Sequence, residues 1–433
     1  MTSSGEGIVN VSEFVDLVGP ETEMLGPVKD GGLIVTGTEP ACYGPMITPE
    51  VESGHTVSRP IAVSGAEVGD GVALKIRKIN ITSKASASGT ETPREGSFVG
   101  DPFVAKKCPG CGKVNPNTVV KEIGRDAIRC ADCDTSVSAF DVTNGFTMVF
   151  DDNRRVGITV PKHVAEEIAR NTEDYSGAPV GSSCHSVLVF ALADMPAGIV
   201  SKIRPMIGNF GTLPGVTMPS SHNAGDFGVF LIGAPHDHAI SEEDLAKRSD
   251  AHMDIDSVGE GAIVIAPVRV EQAGIIVGDV HAMQGDGEIA GHTTDVSAEV
   301  TVEVEVIKRL ANDGPILLPL MEDLPPLARL LSSEELEIAR SLAKKNGFDI
   351  QTEVAPIQVV GSGADLNQAT MNGLERMAKL ADMDVDEVRN RVTITGGIEI
   401  GRLPGIIHIS MLTPMSRLEQ IGIAHLVKEQ YGL

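Results

Sequence analysis

Tryptophan is absent from this 433-residue chain, and aromatic residues together make up only 3% of it. The core therefore has to be built from Val, Ile, Leu, Ala and Met. Long apolar runs are missing as well: no stretch approaches the about 18 uninterrupted apolar residues of a membrane-crossing helix. Residues 1–6 offer neither the basic nor the apolar region of a secretion signal. Basic charge is scarce, with 35 Lys and Arg against 60 Asp and Glu and a net charge of −25. Such a chain repels polyphosphates and offers no basic footprint for DNA or RNA. Four of its six cysteines form two CxxC pairs, which suits metal thiolates in a reducing compartment and argues against a disulfide framework. Cys42 and Cys184 are left over. A cytoplasmic protein without nucleic-acid or membrane partners is expected.

What is present is a hydrophobic fraction of 42%, ordinary for a globular chain, and 47 glycines that imply many turns. Residues 30–85 read as short strands punctuated by Gly and Pro, among them 32–35 and 72–76. Residues 82–100, rich in Ser, Thr and Gly (Ser83, Ser86, Ser88, Gly89), have the composition of an exposed linker or long loop. Residues 146–150 and 186–192 read as strands and 162–171 as a short helix, after which 205–256 turns into site-forming loop. The clearest β pattern is at 296–306, where Val300, Val302, Val304 and Val306 alternate with Thr301, Glu303 and Glu305, so that one face is buried and the other wet. The segments 262–266 and 273–278 read as further strands. The C-terminal third turns helical, with openings at Ser332/Glu335, Asp365/Gln368 and Asp384/Glu387 and a last helix over about 416–430.

Cys108, Cys111, Cys130 and Cys133 lie in a C-x2-C-x18-C-x2-C pattern. Each CxxC turn brings two thiolates to one tetrahedral ion, and the intervening residues are long enough for a hairpin that returns the second pair. Four thiolates fill the coordination sphere and leave no position for substrate. The expectation is a structural zinc ion holding a small insert that cannot build its own core.

The densest chemistry is residues 278–288. Asp279 and His281 are two apart, so at a strand end both side chains point one way and can share a divalent ion. Asp286 and Glu288 repeat the spacing, and Gln284 could orient a substrate amide. The same residues would also make a polar hairpin in which Asp and Gly merely serve the turn. His252 and Asp254 are again two apart, while His222, His236 and His238 read individually as exposed loop histidines. No G-x-S-x-G elbow is present, and a thiol mechanism would need Cys42 or Cys184.

The run Gly278-Asp279-Val280-His281-Ala282-Met283-Gln284-Gly285-Asp286-Gly287-Glu288 resembles the G-D-x-H-x-x-Q-G-D-G-E signature of the acetamidase/formamidase family. Residues 60–70 resemble that family's G-P-I-x-V-x-G-A-E-P-G-D segment, with His55 near the position of a preceding histidine. Residues 251–256 resemble its G-G-N-x-D-I segment, and 398–404 loosely its closing strand. The resemblance runs in order over most of residues 55–410, leaving out the cysteine insert and the linker before it. Arg59 replaces a usual Gly, His252 a usual Asn, and Ala290 a common Cys.

The resemblance implies an α+β, β-rich fold, with a β-sandwich-like core, flanking helices and a homo-oligomer. The alternation at 296–306 fits a sandwich independently. Boundaries are expected at 1–100 for the first β-rich part of the core, 101–140 for the zinc-ribbon insert, 141–320 for the part carrying the motif, and 321–433 for a helical and β part. The expected activity is metal-dependent hydrolysis of a linear amide C–N bond in a small substrate, with release of ammonia or an amine. A divalent metal, Zn2+, would be held by Asp254, Asp279 and His281, with His55 as a candidate fourth ligand. Glu288 would act as general base and then acid, with Asp286 behind it and Gln284 on the substrate. The rival reading is a non-catalytic metal or small-molecule binding protein on the same fold, with the zinc ribbon as a docking module.

Overall fold

The computed structural model describes residues 7–433; residues 1–6, on which the absence of a secretion signal was argued, lie outside them. No helix among the described residues is long and apolar enough to cross a membrane. The chain is α+β and β-rich, with several sheets and flanking helices. Its largest sheet has nine strands, in the order Ile8–Val11, Leu33–Thr38, Ala298–Ile307, Gly71–Ile81, Ile263–Pro267, Ile316–Leu318, Val354–Ser362, Ile406–Pro414 and Gly396–Arg402. All neighbours in it are antiparallel except the first pair.

The alternating strand shows why the layers stack. Val300, Val302 and Val304 are fully buried, whereas Glu299 is exposed and Glu303 and Glu305 are half-buried. The valines join Leu74, Ile76 and Val264 of the same sheet in one core with Ile61, Val63, Ile207, Ile275 and Val277. These last residues belong to a second, seven-stranded sheet centred on Ile275–His281, which pairs antiparallel with Met206–Thr212, Asp295–Val296, Val57–Ser58 and Ile61–Val63. Removing two facing apolar surfaces from water is the main stabilising term of such a sandwich. The large sheet packs its other face, including Ile263, Ile357, Val359 and Ile409, under helices through Leu374, Met377, Val388, Leu418 and Leu426. Those helices are Leu366–Ala381, Val385–Thr395, Met415–Gln420 and Ala424–Tyr431.

Four segments differ from the sequence reading. The Ser/Thr/Gly stretch contains the strand Ala85–Pro93, whose first five residues are buried. It pairs with Phe140–Phe150, and its hydroxyls find partners inside: Ser86 Oγ donates to the Asp295 carbonyl at 2.7 Å. Small polar residues thus serve a crowded interior, where the composition alone signals solvent. Residues 186–192 form a buried 3-10 turn, Val187–Phe190, instead of a strand; the Ser186 side chain caps it and Ala191 ends it at φ 51°. The supposed loop region 205–256 contains the seven-residue strand Met206–Thr212, every residue of it buried. The last helix is broken in two at Gly422, whose φ of 82° is left-handed backbone that favours glycine. Ser332 with Glu335 does form a reciprocal capping box and Asp365 caps its helix, but Asp384 makes no side-chain cap.

Residues 101–140 contain the hairpin Thr118–Val120 and Ile128–Cys130. Together with Ala87, Phe140, Ile168 and Leu188 it shares a third core beneath the sheet formed by Val200–Lys202, Val156–Thr159, Phe140–Phe150 and Ala85–Pro93.

Candidate metal and active site

The strand Ile275–His281 runs through the middle of the second sheet and carries Asp279 and His281 to its end, both fully buried. Residues 252–254 lie beside it, because Met253 and Asp254 hydrogen-bond the Gly208 carbonyl of the neighbouring strand. His55 enters from the segment before Val57–Ser58. Asp254, Asp279 and Glu288 all have positive φ, of 47°, 58° and 40°. Left-handed backbone is uncommon outside glycine and concentrates at functional sites, where the surrounding structure holds it. Gly208 supplies the space: a Cβ there would lie 2.0 Å from Asp254 Oδ1 and 2.5 Å from Asp279 Oδ2.

Two trios of donor atoms share Asp279: His55, His252 and Asp279, and Asp254, Asp279 and His281. Asp279 Oδ2 is 3.6 Å from His55 Nδ1 and 3.5 Å from His252 Nε2, and its Oδ1 is 2.8 Å from His281 Nε2. Asp295 Oδ1 adds a further carboxylate 3.2 Å from His281 Nε2. The far ring nitrogen of each histidine is engaged. His252 Nδ1 donates to the Ser221 carbonyl at 2.7 Å, and His281 Nδ1 to Gln284 Oε1 at 2.8 Å. His55 Nε2 lies 3.2 Å from Cys42 Sγ. Such partners fix ring orientation; Nε2 of His281 is hydrogen-bonded to Asp279 Oδ1 and Nε2 of His252 lies 3.0 Å from Asp254 Oδ2, so each would give up its proton to present a lone pair to a metal.

Six buried polar atoms of this cluster make no well-formed hydrogen bond among the described residues, His55 Nδ1, His252 Nε2, Asp254 Oδ1, Asp279 Oδ2, Glu288 Oε2 and Asp295 Oδ1, although His252 Nε2 lies 3.0 Å from Asp254 Oδ2 and Asp295 Oδ1 3.2 Å from His281 Nε2. Leaving so many buried donors and acceptors unpaired is costly, and imidazole with carboxylate is a donor set for divalent zinc. The residues therefore fit a divalent cation.

The electrostatics agree. Burial pushes the His55 imidazole down to about 3 against the opposing pull of Asp279. For Asp279, burial favours the acid, but His281 and His55 outweigh it and hold the carboxyl well below its usual range. Burial, reinforced by Asp254 and Asp279, pushes Glu288 well above its usual range, and burial raises Asp295 to about 7. A buried carboxyl whose proton affinity is raised beside a cation site is a candidate for acid–base work.

Arg402 closes the cluster from the strand Gly396–Arg402. It is fully buried, donates through Nε and Nη2 to both oxygens of Asp226 at 2.9 and 2.8 Å, bonds Asp254 Oδ2 through Nη1, and lies 4.4 Å over the Phe227 ring. Two site members, Arg402 and Asp295, were not singled out in the sequence, and Cys42 was weighed only as a nucleophile. Residues 398–404 do carry a faint family resemblance, and that was the available signal for Arg402. Asp295 and Cys42 carry no such signal: Cys42 lies only 13 residues before His55, but no motif links the two.

The expected residues His55, Asp254, Asp279, His281 and Glu288 converge. Gln284 stands differently: its Nε2 donates to the carbonyls of Asp254 and Gly401 at 2.6 and 3.3 Å while Oε1 holds His281. Both ends of its amide are spent on positioning, not on a substrate. Asp286 is exposed and stands outside both trios. His222, read as a loop histidine, is fully buried, with Nε2 2.7 Å from Asp101 Oδ2.

The four insert cysteines also come together, with Cys108 Sγ 3.5 Å from Cys133 Sγ and Cys111 Sγ 3.9 Å from Cys130 Sγ, close enough to bind a metal. The insert is anchored to the site's floor. Lys106 Nζ donates to the carbonyls of Val51 and Ser53 at 2.7 and 2.9 Å, and Ser53 Oγ lies 2.8 Å from Ser221 Oγ.

The sequence model of the Acetamidase/Formamidase family matches residues 40–416. A predicted acetamidase/formamidase of Thermoanaerobacter tengcongensis is similar in structure over 96% of this chain and 98% of its own, at 18% identity and a TM-score of 0.53. An acetamidase of Bacillus halodurans matches over 96% and 99% of the two chains at 15% identity and a TM-score of 0.53. An acetamidase of Yersinia enterocolitica matches over 95% and 90% at 15% identity and 0.51. No curated protein matches the chain by sequence. At these identities the solved structures speak for the fold, and the family model for the family.

Proposed function

Because the chain belongs to the acetamidase/formamidase family, and so is an amidohydrolase of C–N bonds other than peptide bonds, we propose that it cleaves a small linear amide, using a divalent metal, and releases ammonia or an amine. The observation that carries this reading is the set of six unpartnered buried atoms around Asp279. Asp254, Asp279 and His281, with His55 and His252 on the other side of Asp279, would hold the metal, for which the donor chemistry favours Zn2+. Such an ion, when bound, polarises a carbonyl and acidifies water.

Glu288 takes the proton of the attacking water as its oxygen bonds to the carbonyl carbon, and returns it to the nitrogen as the C–N bond breaks. The products are a carboxylic acid and ammonia or an amine. Arg402 holds Asp254 in place, and Gln284 holds His281. Asp286, exposed and away from the donor atoms, has no part in this scheme. The four insert cysteines would hold a second, structural Zn2+, since four thiolates complete a tetrahedral sphere. A homo-oligomer in the cytoplasm, where thiolates stay reduced, completes the reading.

The test is ammonia release from formamide, acetamide, longer linear amides and cyclic amides, with and without a chelator. Release from the short linear amides, abolished by chelation and restored by zinc, is the expected result. Release that survives complete removal of metal contradicts it, and no release from any amide favours a binding protein.

A further inference from the structure

Every donor atom of the cluster belongs to a buried residue, so a substrate needs a passage. A cleft of about 780 Å³ opens at the surface between the helix ends at 169–176, the strap 178–186 and the tip of the insert hairpin at Val120, Glu122 and Ile123. Adjoining it, a second cavity of only about 10 Å³ shares Pro40, Ser176 and Ser186 with the cleft and is lined further by Tyr43, Ser86, Leu188 and Asp295. Asp295 Oδ1 is one of the unpartnered atoms and faces His281 Nε2 at 3.2 Å.

We propose that this cleft is the substrate vestibule and that the constriction among Tyr43, Ser86 and Leu188 selects the acyl group of the amide. The inference rests on the amidase reading and deepens it. A space of 10 Å³ holds about one water-sized probe. Passage therefore depends on small displacements of the lining side chains and favours amides with the shortest acyl groups. Tyr43 is poorly free to move: its hydroxyl donates to the Gly89 carbonyl at 3.0 Å and its backbone N–H donates to Asp295 Oδ2 at 3.3 Å. Leu188 is the bulky apolar group on the opposite wall. The vestibule carries Glu122, Glu173 and Asp174 against Arg170. Its carboxylates disfavour anionic substrates such as the half-amide of a dicarboxylic acid. The hairpin tip of the cysteine insert forms one wall and so shapes the mouth.

The experiment compares steady-state hydrolysis of acetamide, butyramide and succinamate by the metal-loaded protein and two variants. Ser176→Phe places a ring where cleft and constriction meet; kcat/KM for acetamide should fall about tenfold or more, with metal content unchanged. Leu188→Ala widens the constriction and should raise the butyramide-to-acetamide ratio of kcat/KM about tenfold. Succinamate should be the poorest substrate throughout. Because Leu188 is buried and its truncation leaves a cavity, melting temperature is followed for both variants, and Ser176→Phe tests the route without opening the core. An active wild type whose two variants keep its kcat/KM values and ratios overturns the passage alone. A wild type silent on every amide overturns the amidase reading, and the passage with it.

Discussion

Replacing Glu288 by Gln is expected to lower amide hydrolysis on the order of 10²- to 10⁴-fold, the usual contribution of a positioned general acid–base group. The substitution keeps the volume of a buried side chain but removes its capacity to accept a proton. Glu288 lies outside both donor trios, so the variant should retain its metal and fold. Burial and the charges of Asp254 and Asp279 hold the carboxyl well above its usual range, and a cation bound between those carboxylates would lower it. Wild-type rates for the variant under saturating acetamide, with metal content verified, would remove Glu288 from the mechanism.

The second large effect is on stability. Arg402→Met should destabilise the protein by about 3–5 kcal/mol, the range for breaking a buried ion pair by removing one partner. Arg402 is fully buried and bridges Asp226 and Asp254, so its loss strands two interior carboxylates. Asp254 has further compensation in the metal and in His252 Nε2, 3.0 Å from its Oδ2, whereas Asp226 keeps only the Phe227 N–H, which donates to Oδ1 at 2.9 Å. The drop in melting temperature should accordingly be larger in chelator-stripped protein than in metal-loaded protein. Arg402→Lys should recover little, because an ammonium cannot reproduce the two-pronged bond to Asp226. A methionine variant as stable as wild type would show that the bridge is dispensable.

The features legible in the sequence are those whose cause is local. The alternation of Val300, Val302 and Val304 with polar residues follows from a strand with one buried face, and Ser332 with Glu335 announces a helix start within four residues. Two CxxC turns announce that Cys108, Cys111, Cys130 and Cys133 come together. The run from Asp279 to Glu288 is legible because one strand end and the turn after it carry much of the site. Features set by distant partners are not legible. Arg402 meets Asp226 and Asp254 across 176 and 148 residues of sequence. Ser86 belongs to a buried strand because its hydroxyl meets Asp295, 209 residues away. Gln284 looked free to meet substrate, since nothing nearby in sequence reveals that its amide is committed to Asp254, Gly401 and His281. The 3-10 turn Val187–Phe190 misleads for a related reason: a short buried apolar run has no period by which strand and turn can be told apart.

The central claim is that the cluster around Asp279 holds the metal on which hydrolysis depends. It is tested most directly by measuring zinc content and acetamide hydrolysis on the same preparations of the wild type and Asp279→Ala. Asp279 is common to both donor trios, so its removal should cost the cluster its metal and the protein its activity, while the zinc proposed for Cys108, Cys111, Cys130 and Cys133 should stay. An Asp279→Ala protein that keeps the wild-type zinc content, or that still releases ammonia from acetamide at the wild-type rate, would contradict the account.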